Sequence, residues 1–276
     1  MSPSIRLVAT DIDGTLADPE SRLTDLTLRA LRAVHHAGID VALVTGLNPW
    51  VARRYAQAIG PWTHVICLNG IFRLNQGETI PGFYLDPQTA VEAVACILDQ
   101  GCIPLVFSDD QVSRYLPSYP EGMTEITKLV AERPFQPYVP VETPEALFTV
   151  PPAQVSVCDT AERGERLYPV LDAAVGDNAY VVLQPGDRTW VEVNHPDARK
   201  DRALFAFADD LGVAHDEIVY FGDSLNDIPV FENLPFAVAM GNARPEVAEL
   251  AWRRTETNAE DGVARFLIRH LGLDLG

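Results

Sequence analysis

Two aspartates close the first apolar run of the chain, in the segment VATDIDGTLAD. Leu7, Val8 and Ala9 are typical of a buried strand, but the run stops at Asp11, and Asp13 follows with one residue between them. In extended backbone, residues two apart point the same way, so both carboxylates can address one ligand from different sides. A carboxylate can act as a nucleophile, a proton donor or acceptor, or a metal ligand.

Three later apolar runs also end in polar residues: Thr45-Gly46, Asn69-Gly70, and the segment GDSLND that contains Asp223. Ligands of open α/β sheets bind beyond the carboxyl ends of the strands. We therefore expect Asp11, Asp13, Thr45, Asn69 and Asp223 to converge on one edge of a sheet, where they would form the active site.

Helical patterns separate these runs. A helix capped by Thr24 is predicted to stop at Gly38, a second runs from Pro49 to Ile59, and a third from Lys200 to Leu211. Alternation of strands and helices favours a parallel sheet with right-handed crossovers. The sequence predicts an α/β fold, a Rossmann-like doubly wound core.

The middle of the chain is different, because 14 of its 21 prolines lie between Pro81 and Pro196. Short strand-like runs alternate there with helical stretches, of which Thr89 to Gln100 and Ala161 to Val175 are the clearest. We expect an α+β domain at residues 82–193, inserted into a discontinuous core formed by residues 1–81 and 194–276.

The composition limits the function classes. Acidic residues number 39 against 21 basic ones, and the formal net charge of -18 disfavours binding to nucleic acid or to anionic membrane surfaces. The four cysteines have no zinc-binding spacing, and no signal peptide or membrane span is predicted. A cytoplasmic monomer or homodimer is the expectation.

Four motifs in a fixed order carry a resemblance to a known family: DIDGTL, the pair Thr45-Gly46, a lysine at a helix start, and GDSLND. With AVAMGNA and TNAEDGVARFL near the C-terminus, they make the chain resemble the haloacid dehalogenase superfamily, especially its Cof-type hydrolases with a large inserted cap. The resemblance implies a Mg²⁺-dependent phosphatase that hydrolyses a small phosphorylated metabolite, such as a sugar phosphate, through an aspartyl-phosphate.

The resemblance also implies a role for each motif residue. Asp11 would be the nucleophile, Asp13 the general acid and then base, Thr45 a hydroxyl donor to the phosphoryl group, and Lys200 a cation that offsets its charge. The implied metal ligands are Asp11, Asp13 through its backbone carbonyl, Asp223, and Asp227 as a ligand or supporting partner. The implied phosphate-binding residues are Gly14, Thr45, Gly46, Asn69, Lys200 and Asn226.

Two alternatives remain open at this point. A phosphomutase uses the same paired aspartates to move a phosphoryl group within one sugar. A regulatory protein of the same fold would bind a phosphometabolite without turnover. The chain also departs from the family pattern, with Leu47 where relatives commonly have arginine and Asp201 where glycine is usual.

Overall fold

A computed structural model describes residues 5–75, 78–117, 120–186, 188–273 and 275. The described chain forms two compact units. The first comprises the described residues up to Ile80 and from Arg199 onward, and the second comprises Pro81–Ala198. The predicted domain boundaries lie close to these limits, and the assignment of the insertion as a separate domain stays a prediction. No helix among the described residues is long and apolar enough to cross a membrane.

The strands are β1 (Leu7–Thr10), β2 (Asp40–Val44), β3 (His64–Cys67), β4 (Phe72–Asn75), β5 (Glu78–Pro81), β6 (Leu105–Ser108), β7 (Ser113–Tyr115), β8 (Tyr138–Pro140), β9 (Pro152–Thr160), β10 (Tyr180–Gln184), β11 (Arg188–Asn194), β12 (Ile218–Gly222), β13 (Ala237–Ala239) and β14 (Arg253–Arg254).

The helices are α1 (Asp25–His36), α2 (Pro49–Ile59), α3 (Pro87–Asp99), α4 (Pro120–Glu132), α5 (Ala161–Val175), α6 (Lys200–Asp210), α7 (Ile228–Asn233), α8 (Pro245–Leu250) and α9 (Gly262–Leu271).

The first unit contains, within the described ranges, an eight-stranded sheet in the order β14-β13-β12-β1-β2-β3-β4-β5. The strands from β14 to β3 pair in parallel, and β1 lies between β12 and β2. Helices cover both faces: α6 and α7 pack on Leu7, Ala9 and Tyr220, while Phe266 of α9 contacts Phe221 on the other face. The predicted doubly wound α/β fold is confirmed.

The predicted helix boundaries agree with the structure because local signals define them. Thr24 caps α1 by accepting a hydrogen bond from the Thr27 amide at 3.1 Å. Asn48 caps α2 in the same way through the Val51 amide, and Pro49 occupies the first turn. The helix at Lys200 begins at the predicted residue and ends one residue early.

The sheet departs from the predicted parallel pattern at β4, which pairs antiparallel with β3. The reversal takes only the turn Leu68–Gly70, since an antiparallel partner needs no crossover helix. This pairing extends the core sheet beyond the three predicted N-terminal strands.

The second unit contains, in the described part of the chain, a six-stranded sheet in the order β10-β11-β9-β6-β7-β8. Alternate residues such as Val155, Val157 and Val191 face α3 and α5 and form its main core. On the other face, Ile126 and Leu129 of α4 pack against Cys158. The elements α4, β7 and β8 were not predicted from the sequence, because the prolines around them interrupt the hydrophobic periodicity.

The turn after β3 brings that strand's end close to the start of α6. Its residues have positive φ angles of 49° at Leu68, 54° at Asn69 and 112° at Gly70. A Cβ on Gly70 would lie 2.7 Å from the Ala203 Cβ and 3.2 Å from the Arg199 carbonyl oxygen. Glycine is therefore required here both by backbone conformation and by the close approach to α6.

Replacing Gly70 by alanine should destabilise the protein by about 2–4 kcal/mol, because backbone strain adds to overpacking against α6. Gly38→Ala is the matched control, since φ is +79° there but no described atom lies within 4 Å of the added Cβ. We expect the control to cost only about 1 kcal/mol of backbone strain. Urea unfolding followed by circular dichroism measures both, and equal losses would contradict the packing argument.

Candidate active site

Asp11 is buried at the carboxyl end of the central strand β1, with 5% of its surface exposed. The Ile12 amide donates to Asp11 Oδ1 at 2.7 Å, and the Lys200 Nζ lies 2.8 Å from Asp11 Oδ2. Both carboxylate oxygens thus have a fixed partner. The side chain is held in one orientation, as a nucleophile or a metal ligand requires.

Lys200 is the first residue of α6 and is 1% exposed. Its Nζ also donates to Asp227 Oδ1 at 2.7 Å, so one ammonium is shared by two buried carboxylates. Burial lowers the pKa of Lys200, but the charges of Asp11 and Asp227 more than offset this, and the pKa lies above its ordinary value. The side chain therefore stays charged.

Asp227 accepts four hydrogen bonds from described residues. Lys200 and the Tyr220 hydroxyl donate to Oδ1 at 2.7 and 2.6 Å, and the amides of Asp223 and Ser224 donate to Oδ2 at 2.9 and 3.0 Å. A fully buried carboxylate needs such compensation. Asp227 thereby ties the loop after β12 to the start of α6.

Asp223 lies just beyond β12, where the Thr15 hydroxyl donates to its Oδ1 at 2.8 Å. Burial and the Asp227 carboxylate raise the pKa of Asp223 to about 7, against the opposing effects of Thr15 and Lys200. Burial likewise raises the pKa of Asp11, which Lys200 opposes and the other two carboxylates reinforce. Negative charge is in excess at this point of the structure.

Asp11, Asp223 and Asp227 are close enough to bind one cation. Each can supply a carboxylate oxygen, and these atoms all lie within 4.8 Å of one another. Burial, together with the neighbouring carboxylates, raises the pKa values of Asp11 and Asp223, and a divalent cation would offset the repulsion between these carboxylates. The donor set is made of hard oxygen atoms, which suits Mg²⁺ or a similar ion.

Thr45 is buried directly after β2, and the Leu47 amide donates to its Oγ1 at 3.1 Å. Because the hydroxyl oxygen accepts this bond, its hydrogen can point away from Leu47, toward a ligand. The Asn69 amide donates to the Thr45 carbonyl at 3.0 Å, which joins the ends of β2 and β3. Gly46 is half-buried beside Thr45.

The loop after β1 depends on Gly14, whose φ is +72°. A Cβ at this position would clash with the Asp223 carboxylate. The Asn242 side-chain amide donates to the Gly14 carbonyl at 2.8 Å, and its Oδ1 accepts from the Asn258 amide at 3.0 Å. The two C-terminal motifs thus support the aspartate loop.

Asn69 and Asn226 form a second link between loops. The Asn226 side-chain amide donates to Asn69 Oδ1 at 3.1 Å, and both side chains are buried. Asn226 Oδ1 is buried without a hydrogen-bond partner among the described residues. These residues connect the ends of β3 and β12.

Asp13 differs from the other site residues because it is exposed. It lies in the loop that follows β1, and its charge is one of the influences that raise the pKa of Asp223. An exposed carboxylate next to a buried one suits a group that must exchange protons with substrate and water.

Two further residues, Thr15 and Tyr220, belong to this site and were not predicted from the sequence. Thr15 lies within DIDGTL, but its partner Asp223 is 208 residues away. Tyr220 lies in the apolar segment IVYFG, which predicts only that its ring packs in the hydrophobic core. The available signal was the hydroxyl itself, since a buried tyrosine usually has a hydrogen-bond partner.

The inserted unit contains four residues whose chemistry could suit ligand binding: Arg114, Tyr115, Arg188 and Trp190. Both arginines have partners inside that unit, since Arg114 pairs with Asp110 at 2.6 Å and Arg188 pairs with Glu132. Trp190 and Tyr115 pack in the cluster beneath α4. All four therefore contribute to the structure of the inserted unit.

Comparison with known proteins agrees with this geometry. The sequence profile of the haloacid dehalogenase-like hydrolases matches residues 8–267. The pyridoxal phosphate phosphatase YbhA of Escherichia coli is 26% identical over 96% of this chain and 98% of its own. A phosphoglycolate phosphatase of Methanothermobacter thermautotrophicus is 26% identical over 97% of this chain and 100% of its own.

A solved structure extends the likeness to the fold. A haloacid dehalogenase-like hydrolase from Bacteroides thetaiotaomicron superposes with a TM-score of 0.81 at 20% identity, over 96% of this chain and 99% of its own. The profile match spans nearly the whole chain, including the aspartate loop after β1 and the acidic loop after β12. The chain therefore belongs to the haloacid dehalogenase-like hydrolases and is a phosphoric monoester hydrolase.

Proposed function

We propose that the protein is a Mg²⁺-dependent phosphatase that hydrolyses a small phosphorylated metabolite through an aspartyl-phosphate on Asp11. The observation that carries the proposal is the single buried ammonium of Lys200 between Asp11 and Asp227. It keeps the Asp11 carboxylate fixed and partly neutralised at the point where an anionic phosphoryl group must approach.

The metal site consists of Asp11, Asp223 and the backbone carbonyl of Asp13. Asp227 supports this site and does not bind the ion directly, since its four hydrogen bonds, two on each oxygen, occupy the roughly four acceptor positions of a carboxylate. Each oxygen of Asp11 has a single such partner among the described residues and can accept a second. When bound, Mg²⁺ offsets the repulsion between the phosphoryl group and the carboxylates. Burial, and after it the charge of Asp227, raises the pKa of Asp223, and a cation at this position would favour the ionised carboxylate.

In the first step a carboxylate oxygen of Asp11 attacks phosphorus, and the bond from phosphorus to the ester oxygen breaks. Asp13, in its protonated form, gives its proton to that leaving oxygen, which departs as an alcohol. Thr45 donates its hydroxyl hydrogen to a phosphoryl oxygen, and Lys200 offsets the charge on the group being transferred.

In the second step the Asp13 carboxylate takes a proton from water, and the water oxygen attacks phosphorus. The bond between phosphorus and Asp11 breaks, which releases phosphate and restores both aspartates to their starting states. The exposure of Asp13 supports this role, since the group must reach both the leaving oxygen and water.

We propose that the inserted segment 82–193 determines which group the enzyme accepts beyond the phosphate of its substrate. Two relatives that match nearly the whole chain are named for different substrates, pyridoxal phosphate and phosphoglycolate. This variety supports a shared phosphoryl site and a leaving-group site that differs between relatives. A sugar phosphate or a similar small monoester is the proposed substrate class.

The first test is phosphate release from a panel of phosphorylated metabolites, with and without Mg²⁺, by the wild type and Asp11→Asn. We expect release that requires the metal and falls by at least about 10³-fold in the variant, because the amide cannot form the acyl phosphate. Conversion of a sugar phosphate into an isomer with its organic phosphate conserved would instead identify a phosphomutase.

Asp13→Asn and Asp223→Asn should separate acid-base chemistry from metal binding. Asp13→Asn should lose hydrolysis but keep the rise in melting temperature on adding Mg²⁺, because its backbone carbonyl remains. Asp223→Asn should lose that rise, and its metal-free form should be more stable than the wild type, since one repelling carboxylate is gone. A normal metal response in Asp223→Asn would contradict the proposed ligand set.

Mg²⁺ binding should weaken as the pH falls below about 7. The pKa of Asp223 is raised to about 7, so the carboxyl is protonated below that value and must lose its proton to bind the ion. The free energy of unfolding of the metal-free protein should fall as the pH rises from about 4 to about 7. Over this range the Asp223 carboxyl is already ionised in the unfolded chain but still protonated in the folded protein. Calorimetric Mg²⁺ titrations between pH 5.5 and 8.5 measure the binding, and a constant affinity would argue against the assignment.

A further inference from the structure

Tyr220 is fully buried in β12, yet its hydroxyl reaches the charged part of the site. The ring lies between Ala9 of β1 and Ala237 of β13, its partners in register on the two neighbouring strands. The rings of Tyr220 and Phe231 pack nearly perpendicular to each other at a centroid distance of 6.0 Å. The small alanine side chains leave room for a large ring on the face of the sheet that packs against α6.

The Tyr220 hydroxyl donates to Asp227 Oδ1 at 2.6 Å, and the Lys200 ammonium donates to the same oxygen at 2.7 Å. Two donors on one oxygen share its negative charge, so each binds it less strongly than it would alone. The same ammonium lies 2.8 Å from Asp11 Oδ2. The strength of the hydrogen bond from Lys200 to Asp227 therefore affects the distance between the Lys200 ammonium and the Asp11 carboxylate.

We propose that Tyr220 is a positioning residue for phosphoryl transfer: by donating to Asp227, its hydroxyl keeps the Lys200 ammonium centred between Asp227 and Asp11. Without the hydroxyl, Asp227 Oδ1 has the ammonium as its remaining described donor and draws it away from Asp11. The inference rests on the proposed role of Asp11 as nucleophile. Tyr220 itself acts through Asp227 and Lys200 and does not touch the substrate.

The test compares Tyr220→Phe with Tyr55→Phe, Asp227→Asn, the double variant Tyr220→Phe/Asp227→Asn, and Asp11→Asn. Tyr55 is the matched control, because its hydroxyl donates to a backbone carbonyl, that of Ser21, at 3.0 Å in the same unit. For each protein kcat and KM are measured with one phosphate ester in saturating Mg²⁺, and the melting temperature is recorded alongside.

We expect Tyr220→Phe to lower kcat by about tenfold, as for loss of a hydrogen bond to a charged group, with KM changed by less than about twofold. Tyr55→Phe should leave both constants unchanged. The double variant should be no slower than Asp227→Asn alone, since Tyr220 acts through Asp227.

Two results would overturn the inference. A normal kcat in Tyr220→Phe with a lowered melting temperature would make the hydroxyl merely structural. Losses that multiply in the double variant would mean that Tyr220 acts independently of Asp227. The Asp11→Asn variant tests the proposed function separately. If it is inactive, the assignment of Asp11 as nucleophile holds whatever the effect of Tyr220→Phe. If it is active, that assignment is wrong.

Discussion

The ammonium of Lys200, shared by two buried carboxylates, is the interaction on which the site depends. Removing charges from water is costly unless they are paired at short distance, and here Lys200 Nζ lies 2.8 Å from Asp11 and 2.7 Å from Asp227. Such distances require the ends of β1 and β12 and the start of α6 to meet closely. Glycines allow the approach: a Cβ on Gly222 would lie 2.6 Å from the Asp227 Cγ.

The site carries more negative charge than its own cation can balance. Three carboxylates, those of Asp11, Asp223 and Asp227, lie together with the one ammonium of Lys200, and burial with the charge of Asp227 raises the pKa of Asp223 to about 7. The whole chain has a formal net charge of -18, so long-range attraction does not bring a phosphate ester to the protein. Groups within the site must therefore attract the phosphate ester. The repulsion between the clustered carboxylates lowers the stability of the metal-free protein, as is common where function requires a strained site.

The sequence predicts those parts of the structure that local signals determine. The helix predicted from Pro49 to Ile59 is α2, and the apolar run before Asp11 predicts β1 with a carboxylate at its end. Other features depend on distant partners. The bond from Thr15 to Asp223 and that from Tyr220 to Asp227 exist only because the fold brings β1, β12 and α6 together. In the inserted segment, nearby prolines interrupt the periodicity that would predict α4, and this helix is stabilised by packing on its sheet.

Turnover by the proposed route requires Asp11 to carry the phosphoryl group. The most direct measurement is a rapid quench of the enzyme during hydrolysis, followed by borohydride, which reduces an acyl phosphate on aspartate to homoserine, and by peptide mass spectrometry. We expect homoserine at position 11, formed only when substrate and Mg²⁺ are both present. Unmodified Asp11 under conditions of rapid turnover, or homoserine at another aspartate, would contradict it.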